Sequence, residues 1–139
     1  MTNQTIPTSP ETLTSRDAER LLAAEVAAVI LTSSADEHLH WTGTAIDLME
    51  ALYTAYLTYT LRDDQGNTLS FRQIVSRACA VLHMPVPHNP YEVACRARRR
   101  KGLKCLPFLD RYLWQKQHHP HTQPFLRLVA SAETASLRP

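Results

Sequence analysis

The stretch SFRQIVSRACAVLHMPVPHNPYEVACRARRRKG, residues 70–102, decides which fold the chain is expected to adopt. It begins with a Ser-x-x-Gln capping box at Ser70, and apolar residues then recur every three or four positions up to Leu82. Pro85 and Pro87 cannot donate backbone hydrogen bonds, so they end this helix. The first part of the stretch therefore predicts a helix from Ser70 to Leu82, followed by a proline-containing turn.

A second helix has the clearest start signal in the chain. Asn89 is a favoured cap, Pro90 suits the first helical position, and an acidic residue follows in the first turn. Gly102 is placed to end the helix after Lys101. A helix, a turn and a basic second helix are the parts of a helix-turn-helix, in which the second helix reads DNA. We therefore expect a mainly α fold that contains a helix-turn-helix.

Six cations lie within nine positions, on and just after this second helix. They are Arg96, Arg98, Arg99, Arg100, Lys101 and Lys104. No carboxylate lies among them, so we expect an external anion to relieve their repulsion. On a helical wheel Arg96, Arg99 and Arg100 share one face, and small side chains form the opposite, packing face. Since a major groove about 12 Å wide accepts a helix, and guanidinium groups pair with guanine and phosphate, we expect these three arginines to contact DNA.

The other residues of the predicted site surround that face. Arg98 and Lys101 fall on the packing side of the wheel, so their side chains are expected to reach the rim and contact backbone phosphates. Lys104 and either Arg72 or Arg77 of the preceding helix would contact flanking phosphates. Tyr91, at the front of the helix, has two open interpretations: it contacts phosphate or a base, or its ring packs against the small-residue face.

The chain outside this stretch divides by composition. An alanine-rich apolar repeat predicts a helix from Ser15 to Leu31, and Trp41 is expected to anchor the core ahead of a helix capped by Thr44. The predicted regions are a disordered N-terminus (1–14), a helix and linker (15–38), a helix-turn-helix-like DNA-binding domain (39–117) and a flexible C-terminal tail (118–139).

Charge is distributed unequally between the two halves of the chain. The formal net charge is +2, yet residues 1–69 carry ten carboxylates and three arginines, a net of −7. Residues 70–139 carry three carboxylates and twelve lysines and arginines, a net of +9. A basic half of this kind is typical of proteins that bind nucleic acid.

Several function classes are not indicated. Three cysteines with no C-x-x-C spacing suggest neither a disulfide framework nor a cysteine zinc site, and they fit a reducing compartment. His118, His119 and His121 have no acidic or cysteine partner nearby, so we expect no metal site. No nucleophile has an evident base, and no cofactor or small-molecule substrate is indicated. The longest apolar run has 11 residues, too few to span a membrane, and no signal peptide is evident, so we expect a cytoplasmic protein.

Short motifs in a fixed order resemble the C-terminal region of RteC proteins. They are Trp41-Thr42-Gly43, then Leu48, Glu50, Leu52 and Tyr53, then Tyr91, Arg98, Arg100 and Lys101, and finally Phe108-Leu109-Asp110 with Leu113. This resemblance runs from about Leu39 to Gln117. It implies a DNA-binding regulator of the excision of bacterial conjugative transposons, with a small helix-turn-helix or winged-helix-like domain, to which this chain adds an N-terminal helix.

We therefore expect a non-enzymatic transcriptional regulator that binds double-stranded DNA. The sequence does not decide whether the protein forms a homodimer, for which the helix from Ser15 to Leu31 is a candidate interface. The alternative is a protein-interaction module whose basic half binds an acidic partner protein. RNA is a third and weaker candidate, because the aromatic residues are not interleaved with the cations along the sequence.

Overall fold

The protein is mainly helical, as the sequence predicts. The computed structural model describes residues 13–99 and 106–131. Its helices are α1 (Ser15–Thr32), α2 (Ala45–Leu57), α3 (Phe71–Val81), α4 (Pro90–Arg98) and α5 (Phe108–His118), and its strands are β1 (Leu39–Trp41) and β2 (Val129–Ser131). Short 3₁₀ turns lie at Ala35–Glu37 and Leu126–Leu128. None of the helices in this part of the chain is both long enough and apolar enough to cross a lipid bilayer.

Helix starts coincide with local capping signals. The Ser70 hydroxyl accepts from the Gln73 N–H at 3.1 Å, and the Gln73 side chain accepts from the Ser70 N–H at 2.8 Å, which completes the predicted capping box. Thr44 caps α2 by accepting from the Asp47 N–H at 3.1 Å, as predicted. At α1 the cap is Thr14, which forms a capping box with Asp17.

Helix α2 lies at the centre of the fold and packs against α1, α3, α4 and α5. Its side chains are buried on most of its circumference, and Leu48 and Leu52 are fully covered. Because a helix that is apolar on most sides needs neighbours on most sides, the sequence of α2 accounts for its central position. The other large side chains of the core, Leu22, Ile74, Tyr112 and Phe125, come from elements before and after α2.

The C-terminal segment differs from the flexible tail predicted over 118–139. Residues 118–131 pack on the core, and β2 pairs with β1 in antiparallel register, Trp41 opposite Val129. Phe125 is fully buried, with its ring 5.0 Å from that of Trp41, the predicted core anchor. The packed body thus includes α1 and β2 and is larger than the predicted 39–117 domain. Residues 1–12 of the predicted disordered N-terminus, and 132–139 of the tail, lie outside the described residues.

Two buried carboxylates tie the acidic half of the chain to the basic half. Glu25 accepts from the backbone N–H groups of Phe125 and Leu126 at 2.9 and 3.0 Å, and the Tyr112 hydroxyl donates to its other oxygen. Glu50 of α2 accepts from the first N–H groups of α5. Some of the unequal charge in the sequence therefore serves internal hydrogen bonding.

Candidate nucleic-acid interface

Helix α4, which carries the predicted contacts, rests mainly on α2. Its side chains Ala94 and Ala97 are buried, as expected for the small-residue packing face. Asn89 caps the helix by accepting from the Glu92 N–H at 3.4 Å, and Pro90 occupies the first turn. The cap and the packing face thus agree with the sequence prediction.

The end of α4 differs from the prediction. The helix ends at Arg98 and Arg99 is its C-cap residue, whereas the prediction placed the end at Lys101. The Arg99 N–H bonds to the Arg96 carbonyl at 3.1 Å, a tightened last turn that is common where helices end. Arg100, Lys101 and Lys104 lie outside the described residues, and so does Gly102, the predicted terminator. Their contacts with DNA remain predictions.

Arg96 has an intrahelical partner that the sequence argument omitted. Its guanidinium lies 3.4 Å from the Glu92 carboxylate one turn earlier, and both side chains are largely exposed. Glu92 precedes the nine basic positions, so it lies outside the run that contains no carboxylate. An exposed pair of this spacing stabilises a helix by about 0.3–0.5 kcal/mol, so an anion in solution can compete for Arg96.

Arg98 reaches the rim of the packing side, as predicted, but there it contacts an aromatic ring. Its guanidinium carbon lies over the ring of Tyr53 on α2, 5.5 Å from the ring centre. This cation–π contact orients the charge at the edge between α4 and α2. Arg99 is exposed beside it.

The Tyr91 side chain is partly packed and partly exposed, so it combines features of both interpretations. Its ring contacts Tyr53 edge to face, 5.4 Å between centres, yet 56% of the residue is exposed. Hydrogen bonds with the Cys95 thiol and then with the Tyr53 hydroxyl raise the pKa of Tyr91 to about 12. The side chain is therefore oriented by packing and remains accessible to a ligand.

An aromatic cluster adjoins these residues, and the sequence reasoning did not identify it. Its members are Tyr53, Tyr56, Tyr59, Phe71 and Tyr91, contributed by α2, the residues that follow it, α3 and α4. The three-residue spacing of Tyr53 and Tyr56 places them on one side of α2, which is the signal that could have revealed part of the cluster. The positions of the Phe71 and Tyr91 rings in the cluster depend on tertiary packing.

The connection between α3 and α4 is longer than in a compact helix-turn-helix. It covers residues 82–89, whereas the turn of that motif has about three or four residues. In addition, α4 packs on α2 far more than on α3. The two helices and the proline turn are present, but their mutual packing differs from the expected motif.

Two arginines of α3, Arg72 and Arg77, are exposed and accessible to flanking phosphates. Arg77 lies in the second half of α3, and its charge acts on Asp63 of the turn before this helix. The Asn67 N–H, above all, and the charge of Arg77 to a smaller extent hold the pKa of Asp63 below its usual value. Neither Arg72 nor Arg77 forms an ion pair with a carboxylate among the described residues.

Histidine and cysteine side chains of the described part of the chain have the following surroundings. No group of three His, Cys, Asp or Glu side chains is placed to hold a metal ion there. The imidazole of His118 stacks on Trp114, 4.1 Å between ring centres. Burial raises the pKa of the Cys79 thiol, which disfavours the reactive thiolate.

Comparison with known proteins gives no relative from which a function could be transferred. No family model, no curated protein and no solved structure matches this chain.

Proposed function

We propose that this protein is a non-enzymatic, double-stranded-DNA-binding transcriptional regulator of the bacterial cytoplasm, similar to RteC proteins and acting on genes for excision or transfer of a mobile element. In this proposal α4 enters the major groove. Arg96, Arg99 and Arg100 contact bases or phosphates, and Arg98, Lys101 and Lys104 contact the backbone.

The observation that carries the proposal is the mounting of α4 on α2. Two buried alanines hold the helix close to its support, while Arg96, Arg98 and Arg99 are exposed. Small packing residues let a helix sit close on its support while its opposite face enters a groove, and Arg is the side chain best suited to bidentate contacts with guanine or phosphate. The N-terminal position of Tyr91 on α4 suits a contact near the front of a reading helix.

Internal use of the acidic residues also supports an anionic partner. Glu25 and Glu50 are buried against backbone N–H groups, and Asp47 pairs with Arg111 at 2.6 Å. Among the described residues, the arginine of α4 that pairs with a carboxylate is Arg96, and its partner is Glu92 rather than any of these three acids. The unequal charge of the two halves is in part a division between internal acids and external bases.

The helix-turn-helix or winged-helix comparison is part of the proposal. Helix α3 would be the supporting helix, α4 the reading helix, and the β1–β2 pair the counterpart of the small sheet that accompanies a wing. Docking of α4 needs only its own exposed face and a firm support, and α2 supplies that support.

Binding to labelled duplexes, measured by fluorescence anisotropy over a range of salt concentrations, tests the proposal. We expect log K to fall with log salt by about 0.9 per neutralised phosphate. The double variant Arg96→Ala, Arg99→Ala should lose about tenfold or more in affinity and show a smaller salt slope. Arg20→Ala, which removes an exposed arginine from α1, is the matched control and should bind as the wild type does. Unchanged binding by the double variant would contradict the assigned face.

A second candidate is binding to an acidic protein partner. A surface pocket beside α4 is lined by Ile46, Val93, Arg96 and Ala97, and 47% of Ile46 is exposed. An apolar pocket with an arginine at its edge suits an apolar side chain flanked by carboxylates. Absence of binding to both heparin and nonspecific duplex at low salt would favour this candidate over DNA.

A further inference from the structure

We infer that the aromatic cluster, together with Arg98, is a binding surface for unpaired bases of a single-stranded nucleic acid. The inference extends the proposed function, since both place nucleic acid beside α4, but it concerns a different surface and a different form of the ligand. The sequence argued against such a surface because the aromatic residues are not interleaved with the cations along the chain; the fold brings them together.

The rings form a continuous series. Tyr59 contacts Tyr56 at 5.6 Å between centres, Tyr56 stacks near Tyr53 at 5.9 Å, and Tyr53 meets Tyr91 at 5.4 Å. Phe71 packs against the two middle rings, at 5.2 Å from Tyr53 and 6.0 Å from Tyr56. Ring pairs at these separations attract each other, so the series is held in place before any ligand arrives.

Exposure is greatest at the two ends of the series. Tyr59 is 55% exposed and Tyr91 is 56% exposed, whereas Tyr53, Tyr56 and Phe71 are half-buried. The inner rings therefore fix the outer ones, and the outer rings offer accessible surface to a planar ligand. A base can stack there without displacing a ring of the core.

Charge near the rings favours an anionic ligand. Arg98 lies over Tyr53, and Arg99 follows it at the end of α4. In the part of the chain that the structure describes, neither arginine forms an ion pair with a carboxylate. Glu92, the nearest acid in sequence, is paired with Arg96 and hydrogen-bonded to Asn89. Positive charge beside the rings is therefore available to a phosphate.

Unpaired bases fit this combination better than a duplex does. In a duplex the faces of the bases are covered by their neighbours, and an aromatic side chain cannot stack on them without unstacking the helix. A single strand exposes those faces, and proteins bind it by combining aromatic stacking with cations that follow the backbone. Stacking tolerates any sequence because every base has a π face, so the surface would act with little base preference.

The experiment compares two labelled single strands of equal charge by fluorescence anisotropy: a 12-residue oligothymidylate and a 12-residue abasic strand that carries phosphates without bases. We expect the wild type to bind the thymidylate strand about tenfold more tightly, the size typical of one stacked base. Tyr91→Ala and Tyr59→Ala should each reduce this preference, while Tyr91→Phe and Tyr59→Phe, which keep the ring, should retain it.

Trp114→Ala is the control for the loss of an exposed aromatic side chain. Trp114 is 54% exposed, and the described rings it contacts are those of His118 and His119, outside the aromatic cluster. It should leave the preference unchanged, and thermal unfolding should confirm that all variants fold.

Equal affinity for the two strands, or unchanged preference in both alanine variants, would overturn the inference and leave a protein partner as the ligand of the cluster. Duplex binding that responds to Arg96→Ala, Arg99→Ala but not to Tyr59→Ala would uphold the proposed function regardless of the single-strand result. Failure of one proposal is thereby distinguishable from failure of the other.

Discussion

The carboxylate of Glu50, buried in α2, accepts a hydrogen bond from the backbone N–H of Phe108 at 2.7 Å. Its second oxygen accepts from the Leu109 N–H at 2.9 Å. The first N–H groups of a helix have no acceptor within the helix, and the helix N-terminus carries a partial positive charge. Glu50, which lies 58 positions before Phe108 in the chain, therefore caps α5. This contact fixes the end of α5 that follows the basic segment.

Replacing Glu50 should destabilise the fold strongly. Glu50→Ala leaves two N–H groups, one of them buried, without their acceptor, and we expect the free energy of unfolding to fall by about 3 kcal/mol. Glu50→Gln keeps one acceptor oxygen and should cost less. Denaturant unfolding followed by circular dichroism measures both. Asp64→Ala removes an exposed carboxylate and should change stability by less than about 0.5 kcal/mol. Equal stability of Glu50→Ala and this control would refute the capping role.

Close approach of Trp41 to Gly43 gives a physical reason for the Trp-Thr-Gly motif. A Cβ on Gly43 would lie 3.0 Å from two atoms of the indole, and the same indole donates to the Thr44 carbonyl at 2.8 Å. Gly43→Ala should therefore displace the ring and lower the free energy of unfolding by about 1–3 kcal/mol. In a Trp41→Leu background the same substitution should cost less, because the clash is gone. Additive effects in this double-mutant cycle would rule out the clash as the cause.

Helix caps, which depend on neighbouring residues, were predictable from the sequence, while contacts between distant parts of the chain were not. The caps at Ser70 and Asn89 depend on residues three positions apart, and both form as expected. Phe125 is buried through partners such as Glu25, 100 positions earlier, so a segment rich in His, Pro and Gln resembled a tail. The end of α4 was misplaced because Gly102 and the basic run suggested a longer helix than the structure has.

The candidate site shows the same limit. The arginine positions on α4 follow from helical periodicity, and so does its alanine packing face. The aromatic cluster does not, since its rings come from three separate parts of the chain. Contact between Arg98 and Tyr53 likewise arises only when α4 packs on α2.

The His83 side chain should stabilise the packing of the end of α3 against the segment before α2. Its two ring nitrogens lie 2.8 Å from the carbonyl oxygens of Leu39 and Ala35. Because carbonyl oxygens only accept, both bonds exist together only when both nitrogens carry a proton. His83 has a left-handed backbone conformation, φ 55°, which Asn also tolerates. The shorter Asn side chain cannot reach both carbonyl oxygens.

We expect His83→Asn to lower the free energy of unfolding by about 1–2 kcal/mol. His88→Asn, at another exposed histidine of the same connection, should have little effect. Similar losses in both variants would show that the two carbonyl contacts contribute nothing specific.

Ionisation of Tyr91 reports on how its ring is held. Hydrogen bonds with Cys95 and with Tyr53 raise its pKa to about 12, from an ordinary value of 10.0. A raised pKa means that the neutral phenol is favoured in the folded protein, so the corresponding stabilisation is present below pH 10 and is lost as the pH rises through about 12.

Ultraviolet difference titration of wild type against Tyr91→Phe isolates this tyrosine. Cys95→Ala should shift the transition toward pH 10 by removing the largest cause, and Tyr53→Phe should shift it less. A transition at the ordinary value in the wild type would mean that Tyr91 is not oriented by these neighbours, and the accessible end of the aromatic cluster would then lack a fixed ring on which a base could stack.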